Sequence, residues 1–141
     1  GEKIMVKSNT ALRYMHKPSL DGRSVDCWTN TIASLDVHFS SGVANHFFYL
    51  LSEGTNPTNG FPASPVCTSG NTTATASGTL VGIGREMAEK IWYRALTVYM
   101  TSSTNYAGAR NATLKAAEDL YGNGSATYNT VAAAWSLVNV N

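Results

Sequence analysis

The stretch Ser40-Ser41-Gly42-Val43-Ala44-Asn45-His46-Phe47-Phe48-Tyr49-Leu50-Leu51-Ser52-Glu53-Gly54 decides the fold class. Val43, Ala44, Phe47, Phe48, Leu50 and Leu51 recur at the three-and-four spacing of one helical face. A serine at 40 or 41 offers an N-cap, and Gly54 is a stop. Moving outward, Leu80, Ile83, Met87, Ile91, Ala95 and Val98 mark the stripe of a second helix. Gly84 and Ala88 fall on the same face for close packing, and Glu86 and Lys90 form an outward i,i+4 pair. Asn105 caps a third helix with Tyr106, Ala109, Ala112 or Thr113, Ala116 and Leu120 inward, closed by Gly122. Ser125 caps a fourth, with Tyr128, Val131, Trp135 and Val138 inward. Residues 1–35 show no such period and carry turn residues, Pro18 and Gly22 among them. The expected fold is mainly α: a helical bundle behind an irregular N-terminal third, residues 1–141 making one domain.

Between the first two helices, residues 55–78 are rich in Thr, Asn, Pro, Gly and Ser and lack apolar periodicity. A loop of that length needs a function or a staple. Cys67 lies inside it and Cys27 lies in similar polar surroundings. Two unrelated free thiols are one reading; a disulfide is the other, and the loop-like setting favours it.

Across 141 residues, Ser, Thr and Asn number 14, 16 and 12, whereas charged residues make up only 13% and the net charge is +1. The ten Lys and Arg are scattered, which excludes a strongly electrostatic nucleic-acid binder. No stretch reaches the roughly 20 apolar residues of a membrane-spanning helix. Gly1 to Lys7 is too short and too charged for a signal-peptide core. The low charge favours a secreted protein, one whose leader has been removed. The missing initiator Met agrees with a processed chain or a fragment.

Three histidines limit the acid–base and metal chemistry. There is no His-Glu-x-x-His, Cys-x-x-Cys, G-x-S-x-G or phosphate-binding glycine loop. One local constellation stands out, Leu35-Asp36-Val37-His38-Phe39-Ser40-Ser41-Gly42. A carboxylate two residues before a histidine can accept one ring N–H and fix the tautomer, leaving the other nitrogen for a developing oxyanion. The plainer reading is that the two satisfy polar groups in a loop. Arg13, between Leu12 and Tyr14, could grip a carbonyl or carboxylate, or it could form a structural ion pair with Asp36 or Glu53. His46, inside the first helix, reads as structural.

Five blocks in order carry a resemblance. They are Leu12-Arg13-Tyr14-Met15, Asp36 through Asn45, Gly82-Ile83-Gly84-Arg85 with Lys90 through Thr97, Thr104-Asn105-Tyr106, and Ala116 through Gly122. Together they resemble the C-terminal domain of the thermolysin-like zinc metalloendopeptidases, and Asp-Val-His resembles the pseudolysin- and griselysin-like branches. The resemblance spans the chain and is loosest across 55–78.

It implies that the cleft lies between this domain and an N-terminal zinc-binding domain that carries His-Glu-x-x-His. In such an enzyme zinc polarises the peptide carbonyl and activates water. The resemblance assigns His38 to the oxyanion and Asp36 to orienting it. Arg13 would contact a substrate carbonyl, and Leu12 and Ile4 would line the pocket after the scissile bond. Glu2 matches one carboxylate of a calcium site whose other acids lie upstream. Cys27 and Cys67 fit a griselysin-type disulfide.

The reading is thus the C-terminal domain of a secreted zinc metalloendopeptidase, with zinc and calcium in the full-length enzyme. Its partners are the N-terminal zinc-binding domain and protein or peptide substrates. By itself the chain is expected to bind no catalytic zinc and to cleave nothing. The alternative is a protein-binding module acting through its exposed cleft face.

Overall fold

A computed structural model of the chain describes residues 11–141. Ile4 and Glu2, assigned above to a pocket wall and a calcium ligand, lie outside the described residues. Two 3-10 turns, Pro18–Asp21 and Ile32–Ser34, punctuate the otherwise irregular start. The helices follow: α1 (Val37–Ser40), α2 (Gly42–Glu53), α3 (Arg85–Arg94), α4 (Tyr106–Tyr121) and α5 (Ala126–Ser136). The mainly α class holds. Among the described residues, β-pairing is limited to two isolated bridges, Gly54 with Val81 and Val66 with Ala76.

α2 packs on α3 and α5, and α4 packs on the same two helices, closing a four-helix arrangement. At its centre the Phe47 and Trp135 rings stack with centroids 3.7 Å apart. Val43, Leu50, Leu51, Ile91, Ala116, Val131 and Val138 are sealed around that pair. The Trp135 indole N–H donates to Thr113 Oγ1 at 2.7 Å, so the buried ring leaves no unpaired donor.

The start of the first helix differs from the expected serine cap. Asp36 is the cap, its carboxylate accepting from the His38 amide, and helical structure begins four residues before Ser41. Ser41 interrupts α1 and α2 without making a side-chain cap bond. Asp36 outcompetes the serines because its oxygen reaches the second helical amide, the hydrogen bond that defines an N-cap.

The second stripe is also corrected. Leu80 to Gly84 are not helical: α3 starts at Arg85, after Gly84 in the left-handed region at φ +83°. The Ile83 and Gly84 amides instead donate to the Leu51 and Ser52 carbonyls, each at 2.9 Å. Those carbonyls belong to the last turn of α2, where partners within the helix run out. Val98 is outward, 54% exposed. A π-helical turn over Ala95–Tyr99 follows α3, and the Met100 amide donates to the Ala95 carbonyl five residues back. The added residue per turn shifts the phase of the stripe beyond Ala95. In α4 the stripe leaves through Tyr121, packed on the core, rather than Leu120, which is exposed. The caps at Asn105 and Ser125 form as expected, accepting from the amides of Gly108 and Tyr128. The Glu86–Lys90 pair closes at 2.8 Å.

The long connection is held without regular structure. Cys27 and Cys67 are joined, with Cα atoms 5.7 Å apart. Val66 and Ala76 bond reciprocally at 2.8 and 3.1 Å. Buried Asp26 receives the Ala74 and Ser19 amides and the Ser19 hydroxyl. Beneath it His46, wholly buried, sets Nδ1 3.0 Å from the Asp26 carbonyl and Nε2 2.9 Å from the Pro65 carbonyl. Ser64 Oγ lies 3.0 Å from the same Nε2 and 2.8 Å from the His16 carbonyl. His46 is structural, tying α2 to the segments on both sides of it.

Candidate functional site

The local geometry of Asp36-Val37-His38 follows from the cap. Because Asp36 closes the N-terminus of α1, its Oδ1 accepts the His38 amide at 2.8 Å and also meets His38 Nδ1 at 2.7 Å. One oxygen therefore starts the helix and orients the imidazole. The two side chains are 75% and 57% exposed, so the ring edge bearing Nε2 faces outward. The His38 amide, and then its ring N–H, hold the Asp36 carboxyl below its ordinary range, keeping it ionised.

Arg13 reaches this pair from the irregular N-terminal segment. Its guanidinium donates to the His38 carbonyl at 3.2 Å and the Leu12 carbonyl at 2.7 Å. The ion pair anticipated with Asp36 or Glu53 is not the one formed. Arg13 lies 3.6 Å from Asp21, while Glu53 pairs with Arg85 at 3.1 Å. The turn at Pro18 and Gly22 brings Asp21 round: its carboxylate takes the Arg23 and Ser24 amides and the Ser24 hydroxyl at 2.6–2.8 Å. Burial raises the Asp21 carboxyl, but the Ser24 hydroxyl, these amides and the Arg13 charge together outweigh it and hold it low.

Leu12, Arg13, Asp21, Asp36, His38 and Phe39 thus line one cavity of about 650 Å³. Leu12 is half exposed within it. The structure brings together His38, Asp36, Arg13 and Leu12 of the residues singled out from sequence. Cys27 and Cys67 are bonded to each other elsewhere, as a structural staple.

Several supporting roles escaped the sequence reading. Tyr106 donates its hydroxyl to the Ser40 carbonyl at 2.8 Å, pinning the end of α1 to α4. Gly42 allows the Val25 segment to lie against the α1–α2 junction: a Cβ there would press on the Val25 carbonyl and sit 3.1 Å from Pro18 Cβ. Asp21 carried a readable signal, since an Asp-Gly pair after Pro marks a turn whose carboxylate captures nearby amides. Arg23, two residues on, lines the same cavity.

These residues do not fit a catalytic metal. Among the described residues no group of three or more His, Cys, Asp or Glu is placed to hold an ion, and Asp36 with His38 is a pair already satisfied by mutual hydrogen bonding. What the arrangement offers is oriented donors beside an apolar wall. Among the described residues no helix is long and apolar enough to cross a membrane.

A family model described as the thermolysin metallopeptidase alpha-helical domain matches residues 1–140. The transglutaminase-activating metalloprotease of Streptomyces mobaraensis is 49% identical over 142 residues, covering 99% of this chain and 18% of its own length. Neutral protease B of Bacillus subtilis (strain 168) is 34% identical over 135 residues, 92% of this chain and 21% of that protein. A thermolysin of Alicyclobacillus acidocaldarius subsp. acidocaldarius is 34% identical over 145 residues, 99% of this chain and 23% of that protein. The chain spans about a fifth of the length of these curated relatives.

Proposed function

Because this chain belongs to the thermolysin metallopeptidase family as its α-helical domain, we propose that it forms one wall of a peptidase cleft. There it supplies the donor that stabilises the oxyanion of peptide hydrolysis. The observation that carries this is Asp36 Oδ1 at 2.7 Å from His38 Nδ1, on a ring that is otherwise exposed. An imidazolium has two N–H groups. Asp36 accepts the one on Nδ1, and the one on Nε2 remains to donate to an oxygen that gains negative charge in the transition state. Because Asp36 and the first turn of α1 already fix the ring, little reorganisation is needed at the moment of reaction.

Arg13 holds the substrate backbone in this reading. With two of its donor directions committed to the Leu12 and His38 carbonyls, its planar fork has fixed orientation and the remaining N–H groups meet a substrate carbonyl. Leu12 lines the pocket for an apolar side chain after the scissile bond, with Ile4 as a second wall. Residues 1–141 act as one domain. In this reading the catalytic zinc is held by an N-terminal zinc-binding domain, which is this domain's partner. Protein or peptide substrates lie between the two. Glu2 contributes one carboxylate to a calcium site completed from that domain. Secretion is supported by the joined cysteines and the charge-poor composition.

In the complete peptidase, His38→Ala is expected to lower kcat by roughly 10²–10³, the usual cost of one oxyanion donor. KM and the thermal midpoint should move little, because the side chain is exposed and no core residue rests on it. An unchanged kcat would refute the role.

A further inference from the structure

The cavity that holds His38 contains one charged group for which the reading above has no use. Its carboxylates are engaged: Asp21 by the Arg23 and Ser24 amides, the Ser24 hydroxyl and Arg13, Asp36 by the amide and ring of His38. Arg13 is spent on two backbone carbonyls and Asp21. Arg23 is the exception. Its guanidinium makes no hydrogen bond and no ion pair among the described residues, although it faces a cavity with two carboxylates in it. Instead it lies over the Phe39 ring, its central carbon 4.4 Å from the centroid.

That placement is built rather than incidental. The Arg23 backbone is set by its amide on Asp21, following Gly22 in the left-handed region at φ +80°. The ring beneath is set by the Phe39 amide on the Asp36 carbonyl at 2.9 Å and by the Val25 amide on the Phe39 carbonyl at 3.4 Å. The contact holds the guanidinium over the ring, and its N–H groups make no hydrogen bond among the described residues. An arginine so held keeps the fork geometry that matches a carboxylate with two parallel hydrogen bonds, and little side-chain freedom remains to be lost when it does so. The charge is also poorly placed to be neutralised from within. Asp36 feels it only through space and stays hydrogen-bonded to His38.

We propose that Arg23 is a specificity-determining residue of this cleft, receiving a carboxylate of the bound peptide. The carboxylate belongs either to an acidic side chain or to a free C-terminus, beside the segment that Arg13 and His38 hold. The proposal rests on the reading of Arg13 and His38 as a peptide-binding edge, and it adds a second cation with a ligand chemistry of its own.

The test uses the 141-residue chain and three apolar peptides of one sequence. One carries an Asp side chain and an amidated end, one carries Asn and a free carboxylate end, and one carries Asn and an amidated end. Binding is followed by NMR through the Arg23 Nε–H and His38 ring resonances. A carboxylate peptide is expected to shift both sets and to bind about tenfold more tightly than the neutral one, in keeping with a charge-assisted hydrogen bond. The arm that gains affinity identifies the carboxylate's source. R23Q should erase the difference between peptides, R23K should keep part of it, and an unchanged backbone spectrum shows that each variant is folded. If all three peptides shift His38 equally and leave Arg23 unmoved, Arg23 has no such role and the cleft reading stands. If R23Q retains the preference, the proposal is overturned as well. If no peptide moves His38 or Arg23, the cleft reading fails and this proposal fails with it.

Discussion

At the scale of single residues, Asp36 does two jobs with one oxygen. The Asp-x-His spacing made its link to His38 legible, since two residues is the reach at which a carboxylate can meet the following imidazole. Its role as helix cap was hidden by Ser40 and Ser41, which are equally good caps by type. What decides between them is which oxygen meets an unpaired amide, a fact of backbone direction rather than of composition. Asp36→Asn keeps an acceptor for the His38 amide and removes the carboxylate charge that faces the ring. The expected outcome in the complete peptidase is a fall in kcat with little change in melting temperature, whereas Asp36→Ala should lower both. Equal melting temperatures for the two variants would refute the contribution of the cap to stability.

His46 makes a different residue-scale prediction. Burial pulls its pKa below the ordinary value of 6.5, against the opposing pull of the Asp26 and Pro65 carbonyls. The folded chain therefore holds fewer protons than the unfolded one once the pH drops below that value. Stability is full above pH 6.5 and declines as the pH falls from there toward the folded-state value, where the buried ring must charge. Thermal midpoints between pH 7.5 and 5 should show this slope. His46→Gln should flatten it while lowering stability throughout, and a slope unchanged in that variant would sink the assignment.

Among the elements, boundaries written in capping chemistry were legible and those written in tertiary contact were not. Asn105, Gly122 and Ser125 act on partners within four residues of themselves, so type and spacing suffice. Leu80 to Gly84 read as helix because Leu80, Ile83, Met87 and Ile91 keep a helical period. Their backbone instead satisfies the carbonyls at the end of α2, a partner no local pattern can name. The π-turn after α3 is likewise invisible, since it shifts the phase only after the stripe has been laid down. Gly42 belongs to the same class, its use being the approach of the Val25 segment from 17 positions away. Gly42→Ala must displace that segment and with it the start of α2. A loss of about 1–3 kcal/mol is expected, the usual range for forcing extra atoms into a packed site, measured by urea unfolding. Thr113→Val keeps the shape of a buried residue but strips the Trp135 indole of its acceptor. It should cost about 1–3 kcal/mol, the penalty of an unpaired buried donor.

For the molecule as a whole, the bundle is only part of what stands behind the proposed cleft. The segment bearing Arg13 has no helix of its own, and its anchors lie in the irregular sequence that periodicity could not read. The Ser64 hydroxyl reaches the His16 carbonyl, Asp26 holds Ser19 and Ala74, and the bond from Cys27 to Cys67 fastens these two irregular regions together. Cys67 is further tied to the end of α5, its amide donating to the Leu137 carbonyl at 2.9 Å. The staple therefore acts on the side of the fold least supported by helix packing. Its two ends are 40 residues apart, and closing a loop of that length stabilises the folded state by about 3–4 kcal/mol on the chain-entropy model. Free-thiol titration of the chain under denaturing, non-reducing conditions should find no reactive cysteine. The reduced chain, or the Cys27→Ala/Cys67→Ala double variant, should unfold at lower urea by that amount. If the helices fold independently of the staple, hydrogen exchange will accelerate first over residues 16–28 and 64–76, while the amides of α4 keep their protection. Uniform acceleration across α4 and α5 would mean instead that the irregular third and the bundle unfold as a single unit, and that the cleft edge is no less stable than the core behind it.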